Sequence, residues 1–233
     1  MNKLFAKGLR HGLPIGLGYL SVAFTFGIKA VGDGLSPLQA LLISMTNVTS
    51  AGQFAGLPLM TAQASLMEAA LTQLVINLRY ALMSLSISQK LDRDMTTPRR
   101  MLFSFMNTDE IFAVASAQPG KVNRVYIYGL MIAPYAGWAL GTLLGAVAGQ
   151  LLPAFARGAL GIAIYGMFLA IILPPARREK PVRAVVLMAV ALSLCFRYLP
   201  VLSQVSSGFV IIICAVTASA LGAALFPVKE GEA

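Results

Sequence analysis

Eight long apolar stretches, near residues 11–31, 36–60, 64–89, 101–118, 125–150, 156–174, 182–199 and 207–227, occupy most of the chain. A helix needs about 20 apolar residues to cross a hydrocarbon core, and most of these stretches reach or approach that length. None alternates apolar and polar residues over about ten positions, as a strand of a membrane barrel does, and Leu, Ala and Gly dominate them. The pattern predicts an all-α fold: one polytopic transmembrane bundle of six to eight spans, forming a single membrane domain over residues 1–233.

Two stretches, 36–60 and 101–118, are more polar than the rest, and the charges between stretches give them a role. Basic residues gather in Lys3–Arg10, Lys90–Arg100, Lys121–Arg124 and Arg177–Arg183, and such loops face the cytoplasm. Eight full crossings cannot place all four on one side. The parity works if 36–60 and 101–118 are broken helices, or enter and leave on one side, while the other six cross. Non-helical backbone at membrane depth survives only where it is buried in protein or lines a cavity, so the same two stretches are where a substrate is expected.

Composition agrees with this picture: 58% of the residues are hydrophobic, 12% are charged, and the mean hydropathy is +0.77, values far from those of a soluble domain. A net charge of +9 would suggest nucleic acid if it were clustered, but it is dispersed beside apolar spans, so no nucleic-acid partner is expected. Lys3, Lys7 and Arg10 before the first stretch imitate a signal peptide. The run is too long and has no clear small-residue cleavage site, so the segment is read as retained, with a cytoplasmic N-terminus. Cys195 and Cys214 lack metal-ligand spacing and are expected to pack as small hydrophobes. There is no Gly-rich phosphate loop with its Lys, and His11 is the only histidine. The expectation is therefore a protein without cofactor, metal or catalytic activity.

The densest polar run in the chain is Ser44-Met45-Thr46-Asn47-Val48-Thr49-Ser50-Ala51-Gly52-Gln53. Its hydroxyls and amides, in particular those of Ser44, Asn47, Thr49, Ser50 and Gln53, suit a zwitterion. Gly52 would let the backbone bend and expose amide or carbonyl groups. The structural alternative is that these groups bond their own helix and glue it to neighbours. Arg79 lies about 11 residues before Lys90, hence about 16 Å deep at 1.5 Å per residue. Asp109 and Glu110 lie about nine residues past Arg100, about 13–15 Å deep on the other side of the same loop. Matched depths predict an ion pair of Arg79 with Asp109 or Glu110, because either charge alone in lipid costs several kcal/mol. On a helical wheel Glu68, Thr72, Arg79 and Ser86 share one stripe, with Gln73, Asn77, Ser84 and Ser88 opposite, as befits a helix inside the bundle. Phe54, Leu57 and Met83 are the candidates to receive an apolar substrate side chain.

Glycines recur every four residues at Gly8, Gly12 and Gly16 and at Gly137, Gly141, Gly145 and Gly149, which gives small surfaces for close helix packing, either within the bundle or against a partner subunit. A weak repeat at a shift of 118 residues lays Asn77-Leu78-Arg79-Tyr80 on Cys195-Phe196-Arg197-Tyr198.

Gly12-Leu13-Pro14 with Gly16 and Gly18, then Ser44 leading into Ser50-Ala51-Gly52-Gln53-Phe54, then Asn77-Leu78-Arg79, then Thr108-Asp109-Glu110 resemble, over residues 10–116, the AzlC family of branched-chain amino acid permeases. The rest of the chain fits by hydrophobic layout alone. The resemblance implies an inner-membrane exporter of leucine, isoleucine and valine, sometimes methionine, drawing on the proton gradient. It implies as partners a small hydrophobic membrane subunit of the AzlD type, the branched-chain amino acid itself and the bilayer. The family's Asn-x-Arg motif is often followed by His, where this chain has Tyr80. Proton coupling would then fall to Asp109, Glu110 or Glu68. The same polar core would serve an exporter of another small metabolite, and the glycine seams would suit a membrane assembly or scaffold protein.

Overall fold

The computed structural model describes residues 2–92, 94–153, 155, 166, 169 and 172–227. Among these, the regular elements are helices: α1 (Lys3–Gly32), α2 (Pro37–Thr46), α3 (Ser50–Thr61), α4 (Leu66–Ser88), α5 (Thr97–Met106), α6 (Asp109–Ser116), α7 (Arg124–Leu151), α8 (Lys180–Tyr198), α9 (Ser207–Leu225) and a short 3₁₀ turn at Leu202–Gln204. Of the described helices, α1, α4, α7, α8 and α9 are long and apolar enough to cross a membrane. The expected span at 156–174 lies largely outside the described residues. The chain divides into two compact units, one made of Met1–Leu57 and Asn77–Gly161, the other of Pro58–Ile76 and Ile162–Ala233.

Both stretches expected to be broken are broken, and at their polar residues. In the first, Ser36 starts α2 with a full capping box, its hydroxyl accepting from the Gln39 amide while Gln39 reaches back to the Ser36 amide. The helix stops at Asn47, and α3 begins three residues later. Gln53 then donates to Ser44 at 2.7 Å, and Leu57 shares a buried cluster with Ala40. In a continuous helix, residues 17 apart would be about 25 Å distant. The stretch is therefore a hairpin whose two arms lie side by side. The second stretch behaves likewise: Arg100 at the start of α5 donates to the Ser88 carbonyl at 3.0 Å, and Lys90 donates to the Ser116 carbonyl at the end of α6. The α5–α6 hairpin enters and leaves at one end.

The first unit is organised around α1 and α7, which lie against each other along their whole length with glycines facing backbone. Gly129 meets the Phe5 carbonyl, Gly137 that of Gly16, Gly141 that of Leu20, and Gly145 that of Phe24, while in return Gly8, Gly12 and Gly16 meet Tyr126, Leu130 and Ala133. The register rises together on both helices, so they run parallel. With one long helix and two returning hairpins between them in sequence, the parallel run of α1 and α7 agrees with the parity inferred from the charges for the three basic loops of this unit. Lys7 donates to Gln118 at 2.9 Å and Lys121 to the Gln89 carbonyl at 2.7 Å, and Leu91 bridges Val122. Three of the four basic loops thus share one end of this unit, where cations meet exposed carbonyls at helix C-termini.

The glycine seams are consumed inside the unit. A methyl group at most of these positions would strike backbone of the facing helix, so as surfaces for a separate subunit they are already occupied. The 118-residue shift fares no better: Asn77–Tyr80 lies in the middle of α4, whereas Tyr198 is the last residue of α8. The repetition visible in the fold is the pair of broken hairpins. In the second unit, α8 and α9 pack together, with Val185 against Gly222 and the Ser193 hydroxyl on the buried Cys214 sulfur at 3.7 Å.

Candidate functional site

The two breaks come together in the first unit. A cavity of about 200 Å³ is lined by Thr46, Asn47, Val48 and Thr49 from the first break, Ser104, Phe105 and Asn107 from the second, and Asn77 and Tyr80 from α4. Each break is made by residues whose side chains compete with helical hydrogen bonding. Thr46 bonds back to the Leu42 carbonyl at 2.7 Å, Asn47 ends α2 with non-helical backbone, and Thr49 donates to the Asn47 side chain at 2.9 Å. At the second break Asn107 ends α5 and Thr108 caps α6, its hydroxyl accepting from the Ile111 amide.

The electrostatics follow from the breaks. Helix C-termini, those of α2 and α5, arrive at the cavity with partial negative charge, and α3 and α6 leave its rim with their positive N-termini. A site with both signs of partial charge and no wall residue carrying a formal charge suits a zwitterion better than a net ion. Asn107 adds a specific feature. It is 2% exposed, its amide nitrogen donates to Ser84 at 3.2 Å, and its side-chain oxygen is buried without a partner. A buried acceptor left unmet in a residue that lines a cavity costs stability and would gain from a donor brought to it.

An ionic shell surrounds the second break. Arg79 pairs with Asp109, donates to the Tyr80 hydroxyl at 3.1 Å, and lies over the Tyr80 ring at 4.8 Å. The depth argument left Asp109 and Glu110 open as partners of Arg79, and the structure pairs it with Asp109. Glu110 goes elsewhere: it accepts from the Tyr19 hydroxyl, which also bonds Thr108 at 2.5 Å and stacks edge-on against Trp138 with ring centroids 5.1 Å apart. In the second unit Glu68 is buried and accepts from the Ser206 hydroxyl at 2.6 Å and the Gly208 amide at 3.0 Å, at the N-terminus of α9. Thr72 is buried beside Gly208.

Of the residues selected from the sequence, Asn47, Thr49 and Asn77 line the cavity. Ser50 starts α3 next to Thr49. Ser44 and Gln53 form a buried network with Thr142, whose hydroxyl is 2.6 Å from that of Ser44, and this network ties α2 and α3 to α7. Gly52 is buried within α3. Arg79 borders the site through Tyr80 but does not line it. Phe54 and Leu57 are not at the cavity: Phe54 stacks edge-on against Phe26 at 5.3 Å, and Leu57 is 1% exposed in the same cluster. They belong to the packing of α3 on α1. Sequence reasoning overlooked Asn107, Ser104 and Tyr19. The signal for Asn107 was present, because Asn107-Thr108 interrupts an apolar stretch as Asn47-Val48-Thr49 does.

Two broken helices meeting over a polar cavity, inside a bundle of apolar spans, define a multi-pass membrane protein of the discontinuous-helix type. The chain belongs to the AzlC family: residues 14–152 match the family described as AzlC protein. It is 31% identical over 183 residues to the inner membrane protein YgaZ of Escherichia coli, covering 76% of this chain and 75% of that protein. An uncharacterized membrane protein of Archaeoglobus fulgidus is 36% identical over 196 residues, covering 82% and 85%, and one of Helicobacter pylori is 32% identical over 152 residues, covering 64% and 65%. No solved structure matches the chain.

Proposed function

We propose that the protein is a secondary transporter that exports leucine, isoleucine and valine, and also methionine, across the bacterial inner membrane. Its N-terminus and basic loops would be cytoplasmic, and a small subunit of the AzlD type would work with it. The observation that carries this reading is the cavity where the two breaks meet. Its volume is below the about 300–1,000 Å³ of pockets for drug-sized ligands, and its walls are dipolar without being charged. The substrate carboxylate would face the amides that begin α3, and its ammonium group the free oxygen of Asn107 and the carbonyls ending α2 and α5. Arg79, engaged by Asp109, is assigned to holding the second break in place rather than to the substrate.

For coupling to the proton gradient, Asp109 is held by Arg79, and Glu68 by the start of α9. Glu110, bonded to a neutral phenol, is the carboxylate to which we assign the proton. The test is efflux of labelled leucine from proteoliposomes across an imposed pH gradient, with and without a small companion subunit. Leucine efflux that rises with the gradient and is lost in Glu110→Gln supports the reading. Absence of flux for every branched-chain amino acid, with the companion present, overturns it.

A further inference from the structure

A second, apolar pocket of about 410 Å³ adjoins the polar cavity in the same unit, lined by Leu102, Met106, Met131, Ile132 and Tyr135 with Phe105 and Tyr128. Phe105 is the one residue that lines both. It lies two positions before the Asn107 break, at the end of α5, and its side chain is 46% exposed. The ring is therefore free of tight packing on one side. Tyr135, on the far wall, is fixed by donating to the Met45 carbonyl at 3.1 Å, one residue from Thr46 of the polar cavity. The two pockets thus share a ring and adjoining backbone: the first sets hydroxyls and amides among its walls beside Val48 and Phe105, and the second is apolar apart from phenol groups.

We propose that Phe105 is the residue that sets side-chain selectivity, and that the pocket behind it receives the apolar side chain of the transported amino acid. This rests on the reading of the polar cavity as the seat of the zwitterion. A ligand whose head is held between the two breaks has its side chain against Phe105. Displacement of that ring joins the two pockets into a site polar at one end and apolar at the other. The side chain thereby leaves water without contacting the polar walls, and its length is limited by the distance from Phe105 to Met131 and Ile132. This replaces Phe54 and Leu57, which are committed to the core, as the source of apolar selectivity.

The experiment is binding of labelled leucine to the purified full-length chain, competed with alanine, norvaline, leucine and phenylalanine. A hydrophobic pocket discriminates by about tenfold per methylene, so competition should strengthen by about a hundredfold from alanine to norvaline, which adds two carbons, and by about tenfold from norvaline to leucine, which adds one. Phe105→Ala should extend the series, with phenylalanine gaining about tenfold relative to leucine. Leu102→Trp and Ile132→Trp, at positions 52% and 50% exposed and so tolerant of bulk, should fill the pocket and collapse leucine towards alanine. A wild-type chain that binds leucine with the same series in all three variants overturns the role of Phe105 and leaves the transport reading standing. A wild-type chain that binds no amino acid overturns both.

Discussion

The seam between α1 and α7 and the meeting point of the two broken helices lie in one unit, yet they are built on opposite principles. Along the seam, glycines remove side chains so that the backbones of the two helices touch. At the breaks, the Thr46 and Thr108 hydroxyls bond backbone groups at the helix ends, and those ends are left facing a cavity. The first arrangement has no slack, whereas the second has an unmet acceptor at Asn107 and room for a ligand. The transport function proposed above needs both, since a site held by half-helices must be mounted on something that does not yield.

The sharpest way to break this comparison is to put a large side chain into the seam. Gly145→Leu would drive its side chain into the Phe24 backbone, which cannot move aside without displacing α1. Overpacking costs about 1–3 kcal/mol where neighbours relax and more where backbone blocks them, so loss of folded protein in detergent is expected. Gly18→Ala, with nothing within 4 Å of the added methyl, should be stable or gain up to about 1 kcal/mol from helix propensity. Equal thermal stabilities for the two variants would contradict the seam.

A smaller loss is expected from the ionic shell. Arg79→Leu strands Asp109 and should cost a few kcal/mol; adding Asp109→Asn should recover most of it, whereas adding Glu110→Gln should not, because Glu110 is bonded to Tyr19. Chemical unfolding of the single and double variants reads this directly. Recovery with Glu110→Gln instead would reassign the pair. Recovery of stability without flux in the Asp109 double variant would give the pair a part in transport.

Less again is expected from Ser44→Ala, which removes the acceptor of the buried Gln53 amide and a partner of Thr142. Leaving such groups unsatisfied costs about 1–3 kcal/mol. Since Ser44 is off the cavity, the substrate affinity of the surviving folded protein should be little changed. A large affinity loss with full stability would move Ser44 into the site.

What the sequence made legible follows from how local each signal is. The breaks at Asn47–Thr49 and Asn107–Thr108 interrupt apolar runs, and the basic loops fix parity, so the broken helices could be read without a structure. The Arg79–Asp109 pair was legible because both depths count from one loop. The choice between Asp109 and Glu110 was not, since it turns on Tyr19, an aromatic residue of α1 that looks like ordinary core. A glycine every fourth residue announces a close-packed face but not what it meets. Here the partner lies more than a hundred residues away, in a register no local pattern encodes. Phe54 and Leu57 misled because they follow the polar run in sequence, while α3 turns them onto Phe26 of α1.

The meeting of the two breaks at one substrate cavity is tested most directly by ligand protection. In a background where Cys195 and Cys214, both free thiols, are replaced by Ala, single cysteines are placed at Thr49 on the first break, at Ser104 on the second, and at Ser21 on α1 as a reference. Leucine should slow labelling by a small thiol reagent at Thr49→Cys and Ser104→Cys alike, over the same concentration range, and leave Ser21→Cys unaffected. Protection at one break only, or equal rates with and without leucine at both, would contradict a shared site.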